Sequence, residues 1–209
     1  MSTPQGLNPR LEAPLADRGV ARRAAFLEAA RAVFLEQGYE ASSVNDVVRR
    51  AGGSLATLYA QFGNKEGLFL AVLQDQHERM LAAMTPDCVK HLGVEAGLRA
   101  IGEKFLRAIL TRENRAFFRL VISEGRKFPD SALKYISSGG ERVRHVVADH
   151  MRAAGLTVED AEVSASFFLE LLRSRHHFRA MIDDQYQLSD VDLRAHVAGA
   201  VEFLTRRRA

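Results

Sequence analysis

The sequence predicts an all-α protein in which a small N-terminal unit of three helices, built round a helix-turn-helix, precedes a larger C-terminal helical unit. Three observations carry that reading. Apolar residues recur at helical spacing from about residue 20 to residue 204, with no convincing strand among them. Helix starts and stops are marked: Ser43 stands three residues before Asp46, Thr157 before Asp160 and Ser189 before Asp192, each an acidic form of the capping box, and glycines follow several periodic runs. Between Ser43 and Phe69, three short helical signals follow one another with almost nothing between them.

Residues 1–18 read as a flexible arm, because Pro4, Pro9 and Pro14 fall among polar residues and no periodicity emerges. Disorder is expected to about Asp17. Arg10, Arg18, Arg22 and Arg23 could reach phosphates or an adjacent minor groove; a solvated tail is the alternative. A scaffold helix is expected over Val20–Gln37, with Phe26, Leu27, Ala30, Val33 and Phe34 in register and Gly38 as its stop. Phe34 is expected to pack on Val44, Val47, Leu58 and Phe62.

Ser43 then caps a helix with the stripe Val44, Val47, Val48, leaving Arg49 and Arg50 on its outer side, and Gly52-Gly53 turn the chain. Ser54 caps a second short helix, Leu55–Gln61, whose Leu58 and Phe62 face inward while Ser54, Thr57, Tyr59, Ala60 and Gln61 stay outside. Gly63-Asn64 break it, and a third helix runs from Lys65 to about Met84, ahead of Thr85-Pro86-Asp87. Short helix, tight turn, short helix is the geometry that lays a helix in a DNA major groove.

These residues carry a family resemblance. Phe26-Leu27, Ala29-Ala30, Phe34, Gly38-Tyr39, Ser43-Val44, Ala51-Gly52, Ser54, Thr57-Leu58-Tyr59, Phe62, Lys65-Glu66 and Leu68-Phe69 resemble the N-terminal DNA-binding domain of TetR-type (TetR/AcrR-like) transcriptional regulators, over about the first third of the chain. Gly53, where a valine is common, and Ala60, where an aromatic or His is frequent, depart from it. The resemblance implies about nine helices, a domain at 19–65 that binds double-stranded operator DNA, and a domain at 66–209 for ligand binding and dimerisation. It also implies that motion in the second domain reaches the recognition helix through the helix starting at Lys65.

Donor chemistry assigns Ser43, Ser54, Thr57, Tyr59 and Lys65 to phosphates, and places Leu55, Ala56, Ala60 and Gln61 nearest the base edges. Beyond Asp87, stripes at Val94, Leu98, Ile101, Phe105 and Ile109, and at Phe117, Leu120 and Val121, predict two helices, the second ending near Gly125. A helix over Leu133–Arg152 follows, open to a kink at Gly139-Gly140. The helix near Val158–Ile182 is apolar on two sides, one stripe holding Val163, Phe167, Leu171, Phe178 and Ile182, the other Ala165, Phe168, Leu172 and Met181. One side suits its own domain and the other a second subunit.

The last helix offers Val197, Val201 and Leu204 before Arg206-Arg207-Arg208. By the resemblance these two helices form a four-helix homodimer interface, with Phe168, Leu172, Val197, Val201 and Leu204 as its candidates. Met84, Phe105, Ile109, Phe117, Phe118, Val121 and Tyr135 are the candidates for a small-molecule effector pocket, with Arg119, His145, His150 and Tyr135 as the polar groups that would orient a ligand; core packing is the competing reading.

Composition excludes other classes. One cysteine, Cys88, allows no internal disulfide and no Cys-rich metal site. No apolar run approaches the ~20 residues of a membrane helix, and no secretory pattern opens the chain, so a cytoplasmic protein without membrane contact is expected. His145 and His150 are five apart and His176-His177 adjacent, poor geometry for a metal, and no nucleotide or nucleophile-elbow motif occurs. No cofactor and no enzymatic activity are expected. A ligand-responsive repressor is the leading reading; a helical adaptor without specific DNA binding, or a helical enzyme using a cavity of the larger domain, are the alternatives.

Overall fold

The computed structural model describes residues 15–82 and 89–206, and among them it holds nine helices and no strand. Contacts divide the chain into two compact units, Met1–Val72 and Leu73–Ala209. The first contains α1 (Leu15–Ala41), α2 (Val44–Ala51), α3 (Leu55–Phe62) and the opening turns of α4 (Lys65–Leu81). The second contains the rest of α4 with α5 (Val94–Leu110), α6 (Arg112–Glu124), α7 (Pro129–Ala153), α8 (Val158–Ile182) and α9 (Asp190–Arg206).

In the first unit α1 begins at Leu15, so residues expected in the arm already belong to the scaffold helix. Its regular run ends at Gly38 (φ 76°), where the sequence places the stop, and a last turn carries Tyr39 inward. Phe26, Ala30, Val33, Phe34, Val47, Leu58, Leu68, Phe69 and Val72 make the core. The ring pairing corrects the sequence expectation. Phe62 meets Phe26 edge-on at 6.3 Å, whereas Phe34 packs on Tyr39 and, at 5.3 Å, on Phe69. The C-terminal end of α1, rather than its middle, therefore seats the start of α4.

In the second unit α5 is central. Leu98, Ile101, Phe105 and Leu106 are buried against Val143, Val147 and Met151 of α7, Phe168 and Leu172 of α8, and Val197 and Val201 of α9. Gly102 permits this: a Cβ there would lie 2.8 Å from Val197 Cγ1 and 3.2 Å from Phe168 Cζ. α7 starts at Pro129, whose fixed φ and missing N–H suit a first helical position; the sequence reading started this helix four residues later. α7 runs through Gly139-Gly140 without splitting, because its buried face, from Val143 to Met151, is held by the core. α8, expected to be continuous, breaks at Ser174 (φ 33°, ψ −147°), a conformation that a non-glycine residue rarely adopts.

The caps act as the spacing predicts. Ser43 Oγ accepts from the amides of Asn45 (3.1 Å) and Asp46 (3.3 Å). Thr157 and Ser189 each accept from the amide three residues on and donate to the carboxylate of Asp160 (2.7 Å) and Asp192 (2.6 Å). Each such cap stabilises its helix by about 1 kcal/mol.

Candidate functional site

The outward face of α3 is set by its inward one. Leu58 and Phe62 are buried, which turns Ala56, Thr57, Tyr59 and Ala60 to solvent, Tyr59 with 44% of its surface exposed. Ser54 caps the helix by accepting the Thr57 amide (3.1 Å), and the Ser54 and Thr57 hydroxyls pair at 2.9 Å, presenting two hydroxyls side by side. Leu55 is half-buried at the first turn. Gln61, expected outside among the base-reading residues, is half-buried instead, and its Oε1 is buried without a hydrogen-bond partner.

The cations nearby are largely committed to holding the turn. Arg22 of α1 donates to the Gly52 carbonyl (2.9 Å), placing a positive group on the negative C-terminal pole of α2. Arg23 lies over the Phe62 ring at 4.6 Å. These two, expected at phosphates or a minor groove, brace the helix-turn-helix. Gly53 (φ 118°) faces the Phe26 ring, with a Cβ position only 3.2 Å from Cζ, so the glycine that departs from the family pattern is required both by its backbone and by its neighbour.

Arg50 donates from Nη1 to both carboxylate oxygens of Glu36 (2.8 Å each), and Arg49, its side chain 77% exposed, pairs with Asp46 (3.0 Å). Lys65 Nζ donates to the Glu40 carbonyl (3.2 Å) and sits 4.6 Å from the Tyr39 ring centre. Exposed pairs of this kind are worth about 0–1 kcal/mol, so a phosphate can replace the acidic partner at little cost. Ser43, although half-buried and accepting two amides, retains a hydroxyl proton to donate.

In the second unit a cavity of ≈ 50 Å³ lies among His77 and Met80 of α4, Phe105 and Ile109 of α5, Asn114 and Phe118 of α6, Tyr135, Ile136 and Gly140 of α7, and Arg173 and His177 of α8. Phe105, Ile109, Phe118 and Tyr135 were expected here. Phe117 and Val121 are buried but outside the lining, and Met84 lies outside the described residues. Of the four polar candidates Tyr135 lines the cavity, and the other three are placed elsewhere. Arg119 pairs with Asp184 (2.9 Å), His145 is exposed beside Glu162 (3.5 Å), and His150 reaches the Gly93 carbonyl (3.4 Å) at a separate cavity.

The polar groups that do line the cavity are uncharged near neutral pH, apart from Arg173. Burial pushes the Tyr135 hydroxyl up to about 12. Burial, then the charge of Arg173, brings His177 down to about 4. His77 is lowered by burial first and by Arg142 second, with Glu78 opposing. Gln76 Nε2 donates to Asn114 Oδ1 (2.8 Å), and Asn114 Nδ2 to the Ala108 carbonyl (2.6 Å). His177 stands edge-on to Phe118 at 4.8 Å, His77 edge-on to Tyr135 at 5.6 Å. Sequence reasoning missed His77, Asn114, Arg173 and His177. The signal was there for His77: it occupies a core position of α4, four residues after Leu73, where the stripe calls for an apolar side chain.

The five interface candidates are corrected outright. Phe168, Leu172, Val197, Val201 and Leu204 are all buried inside the chain's own core. The other stripe of α8 is the outer one: Val163, Phe167, Phe178 and Ile182 are 51%, 64%, 71% and 89% exposed, with Phe203 of α9 at 55%. The sequence showed two apolar faces and gave no means of ranking them. Among the described residues no group of three or more His, Cys, Asp or Glu is placed to hold a metal, and no helix is long and apolar enough to cross a membrane.

Comparison with known proteins gives these surfaces a context. Residues 26–72 match the family of bacterial regulatory proteins, tetR family, and residues 96–207 match the C-terminal domain of AefR-like transcriptional repressors. The HTH-type transcriptional repressor ComR of Escherichia coli (strain K12) is 48% identical over 60 residues, 29% of each chain. The match to this relative and to the HTH-type transcriptional repressor AcnR of Corynebacterium efficiens spans about a third of their length. Among solved structures, a TetR-family transcriptional regulator from Mesorhizobium loti MAFF303099 is similar with a TM-score of 0.79 and 22% identity, over 91% of this chain and 98% of the other. The flavonoid-responsive regulator FrrA is similar at 0.71 and 24%, over 90% and 98%.

Proposed function

Because the chain belongs to the tetR family of bacterial regulatory proteins, with an AefR-like C-terminal domain, we propose that it is a ligand-responsive transcriptional repressor. It binds a near-palindromic DNA operator as a homodimer, acts in the cytoplasm, and is released by a small apolar molecule. The observation that supports this best is the capped, rigidly braced α3, whose outward residues are small or hydrogen-bonding while its inner ones anchor it.

In this reading residues 19–65 bind DNA. Ser43, Ser54, Thr57, Tyr59 and Lys65 contact phosphates, and Leu55, Ala56 and Ala60 lie nearest the base edges; Gln61, whose Oε1 is buried, joins them only by turning its amide outward. Residues 66–209 bind the effector and form the dimer, through the exposed stripe of Val163, Phe167, Phe178 and Ile182 together with Phe203. Two-fold symmetry places the half-sites about one helical turn apart, ~34–36 Å, or at an extended version of that spacing.

The cavity of ≈ 50 Å³ is far smaller than the ~300–1,000 Å³ of a ligand pocket. The effector therefore binds a more open form of the domain, and that preference is what weakens DNA binding. A coupling of ~1–3 kcal/mol releases the operator 5- to 150-fold. Selection from a random duplex pool tests the DNA half: an enriched near-palindrome is expected, and Tyr59→Phe should weaken binding to all enriched sequences alike. A pool that stays random would end the repressor reading. A thermal-shift panel of apolar aromatic compounds, followed by operator release, tests the effector half.

A further inference from the structure

Two polar groups in the lining of the cavity among α4–α8 are left unanswered. His177 of α8 is 8% exposed, and among the described residues neither of its ring nitrogens has a hydrogen-bond partner; the hydroxyl of Tyr135, on α7, has none either. A neutral imidazole holds one N–H and one lone pair in either tautomer, so α8 brings a donor and an acceptor to the cavity, and Tyr135 brings a hydroxyl that can act as both. The amide of Asn114 is already engaged, accepting from Gln76 (2.8 Å) and donating to the Ala108 carbonyl (2.6 Å). Water answers the free groups poorly, because an ordered water needs about two to four polar partners and much of the lining is Met80, Phe105, Ile109, Phe118 and Ile136.

Charge narrows what can fill it. Among the described residues of the lining there is no carboxylate, so nothing would pair an organic cation. The cation there, Arg173, donates to Glu170 (2.7 Å) and holds its guanidinium 5.5 Å from the centre of the Phe105 ring. An anion would shed its water to meet a charge that already has a partner.

The protein's own side chains resist ionising in this place. Burial holds the Tyr135 hydroxyl up at about 12, and burial, ahead of the charge of Arg173, holds His177 down at about 4. A hydroxyl carried in by a ligand meets the same environment and keeps its proton. A plain hydrocarbon fails on other grounds: it matches the apolar walls and leaves the imidazole and the Tyr135 hydroxyl without partners.

We propose that the cavity selects an uncharged phenol, whose ring meets the Phe105 and Phe118 side chains and whose hydroxyl donates to and accepts from His177 and Tyr135. A single ring also asks the least opening of a cavity of ≈ 50 Å³. This rests on the reading of the cavity as the effector site, and adds to it the chemistry of the ligand's polar end.

4-Nitrophenol reads the charge state directly, because its phenolate is yellow and its acid is not. At the pH where half of it is ionised in buffer, adding the full chain should bleach the yellow, saturating at one molecule per chain, since the cavity takes the acid. Phenol should displace it, with toluene and benzoate each at least ~tenfold weaker as competitors, toluene for want of the hydroxyl and benzoate for its charge. Tyr135→Phe, which deletes one oxygen, and His177→Phe should each narrow the preference for phenol over toluene at least ~threefold; the preference is a ratio, so a general loosening of the variant does not imitate it. Yellow that deepens on binding, toluene or benzoate competing as well as phenol, absence of saturable binding, or a preference unchanged in both variants overturns the proposal. Operator release is measured separately. Toluene that binds and releases operator better than phenol refutes the ligand class and leaves the effector reading standing, whereas phenol that binds as described without releasing operator upholds the ligand class and sinks the effector reading.

Discussion

Phe167 and Phe168 are neighbours in sequence and opposites in structure, and truncating each in turn tests which face of α8 belongs to the chain and which to a partner. Phe168 is fully buried beside Leu172 and Val197, with Gly102 opposite its ring tip. Phe168→Ala removes that ring from a close-packed core and should destabilise the chain by about 3–5 kcal/mol, a large share of the ~5–15 kcal/mol that holds a domain folded. Phe167 is 64% exposed, so Phe167→Ala should change the stability of the chain itself by less than ~1 kcal/mol.

On the proposed interface that exposed area is covered by the partner. At ~1.5–3 kcal/mol for burying a whole Phe side chain, about two-thirds of it yields ~1–2 kcal/mol per copy. A two-fold axis counts it twice, so the dimer dissociation constant should rise roughly 30- to 700-fold. Urea unfolding at fixed protein concentration separates the two variants by stability, and sedimentation velocity over a dilution series separates them by assembly. A dimer of unaltered affinity in Phe167→Ala, or an equal loss of stability in both variants, would refute the assignment.

Two further outcomes follow from the buried groups of the second unit. His177 is held at about 4 by burial and by Arg173, against an ordinary 6.5. Between those values the unfolded chain takes up a proton that the folded chain refuses, so stability falls as pH drops through this window, by ~3 kcal/mol over its full width. Urea titrations at pH 7 and pH 4.5 should show that part of the decline missing in His177→Phe; an identical decline in both proteins would place the acid sensitivity elsewhere. Gly102→Ala sets a helix-propensity gain of ~1 kcal/mol against overpacking of ~1–3 kcal/mol, because the new methyl would lie 2.8 Å from Val197 Cγ1. The net should be a loss of up to ~2 kcal/mol, read as a lower unfolding temperature, and a raised one would show that α5 can withdraw freely.

What the sequence made legible is whatever is local. Caps at Ser43, Thr157 and Ser189 depend on residues three apart, and the inward placing of Leu58 and Phe62 on a four-residue repeat; both are visible without a third dimension. What it hid depends on partners far along the chain. Arg22 reads as a free cation until Gly52, 30 residues on, arrives beneath it. Phe117 and Phe118 are equally aromatic, and only the rotation of α6 against α8 sends one into the core and the other beside His177. The two stripes of α8 posed the same problem, because periodicity reports that a face is apolar and is silent on what covers it.

The break at Ser174 is the hardest case. No glycine or proline marks it, yet a serine at φ 33° carries strain of order 1–3 kcal/mol that the surroundings must offset. Part of the offset comes from His196, whose Nε2–H reaches the Leu171 and Leu172 carbonyls on the turn just before the break, where the regular helical acceptance is interrupted. Arg173, immediately before Ser174, and His177, three residues after it, line the cavity; Arg175, His176 and Arg179, interleaved with them, face a groove between the end of α8 and α9. The strained residue thus sits between side chains that face two different concave surfaces. His196 belongs to α9, more than 20 residues beyond the break, so the group that helps to hold it lies outside anything a local reading of α8 could weigh.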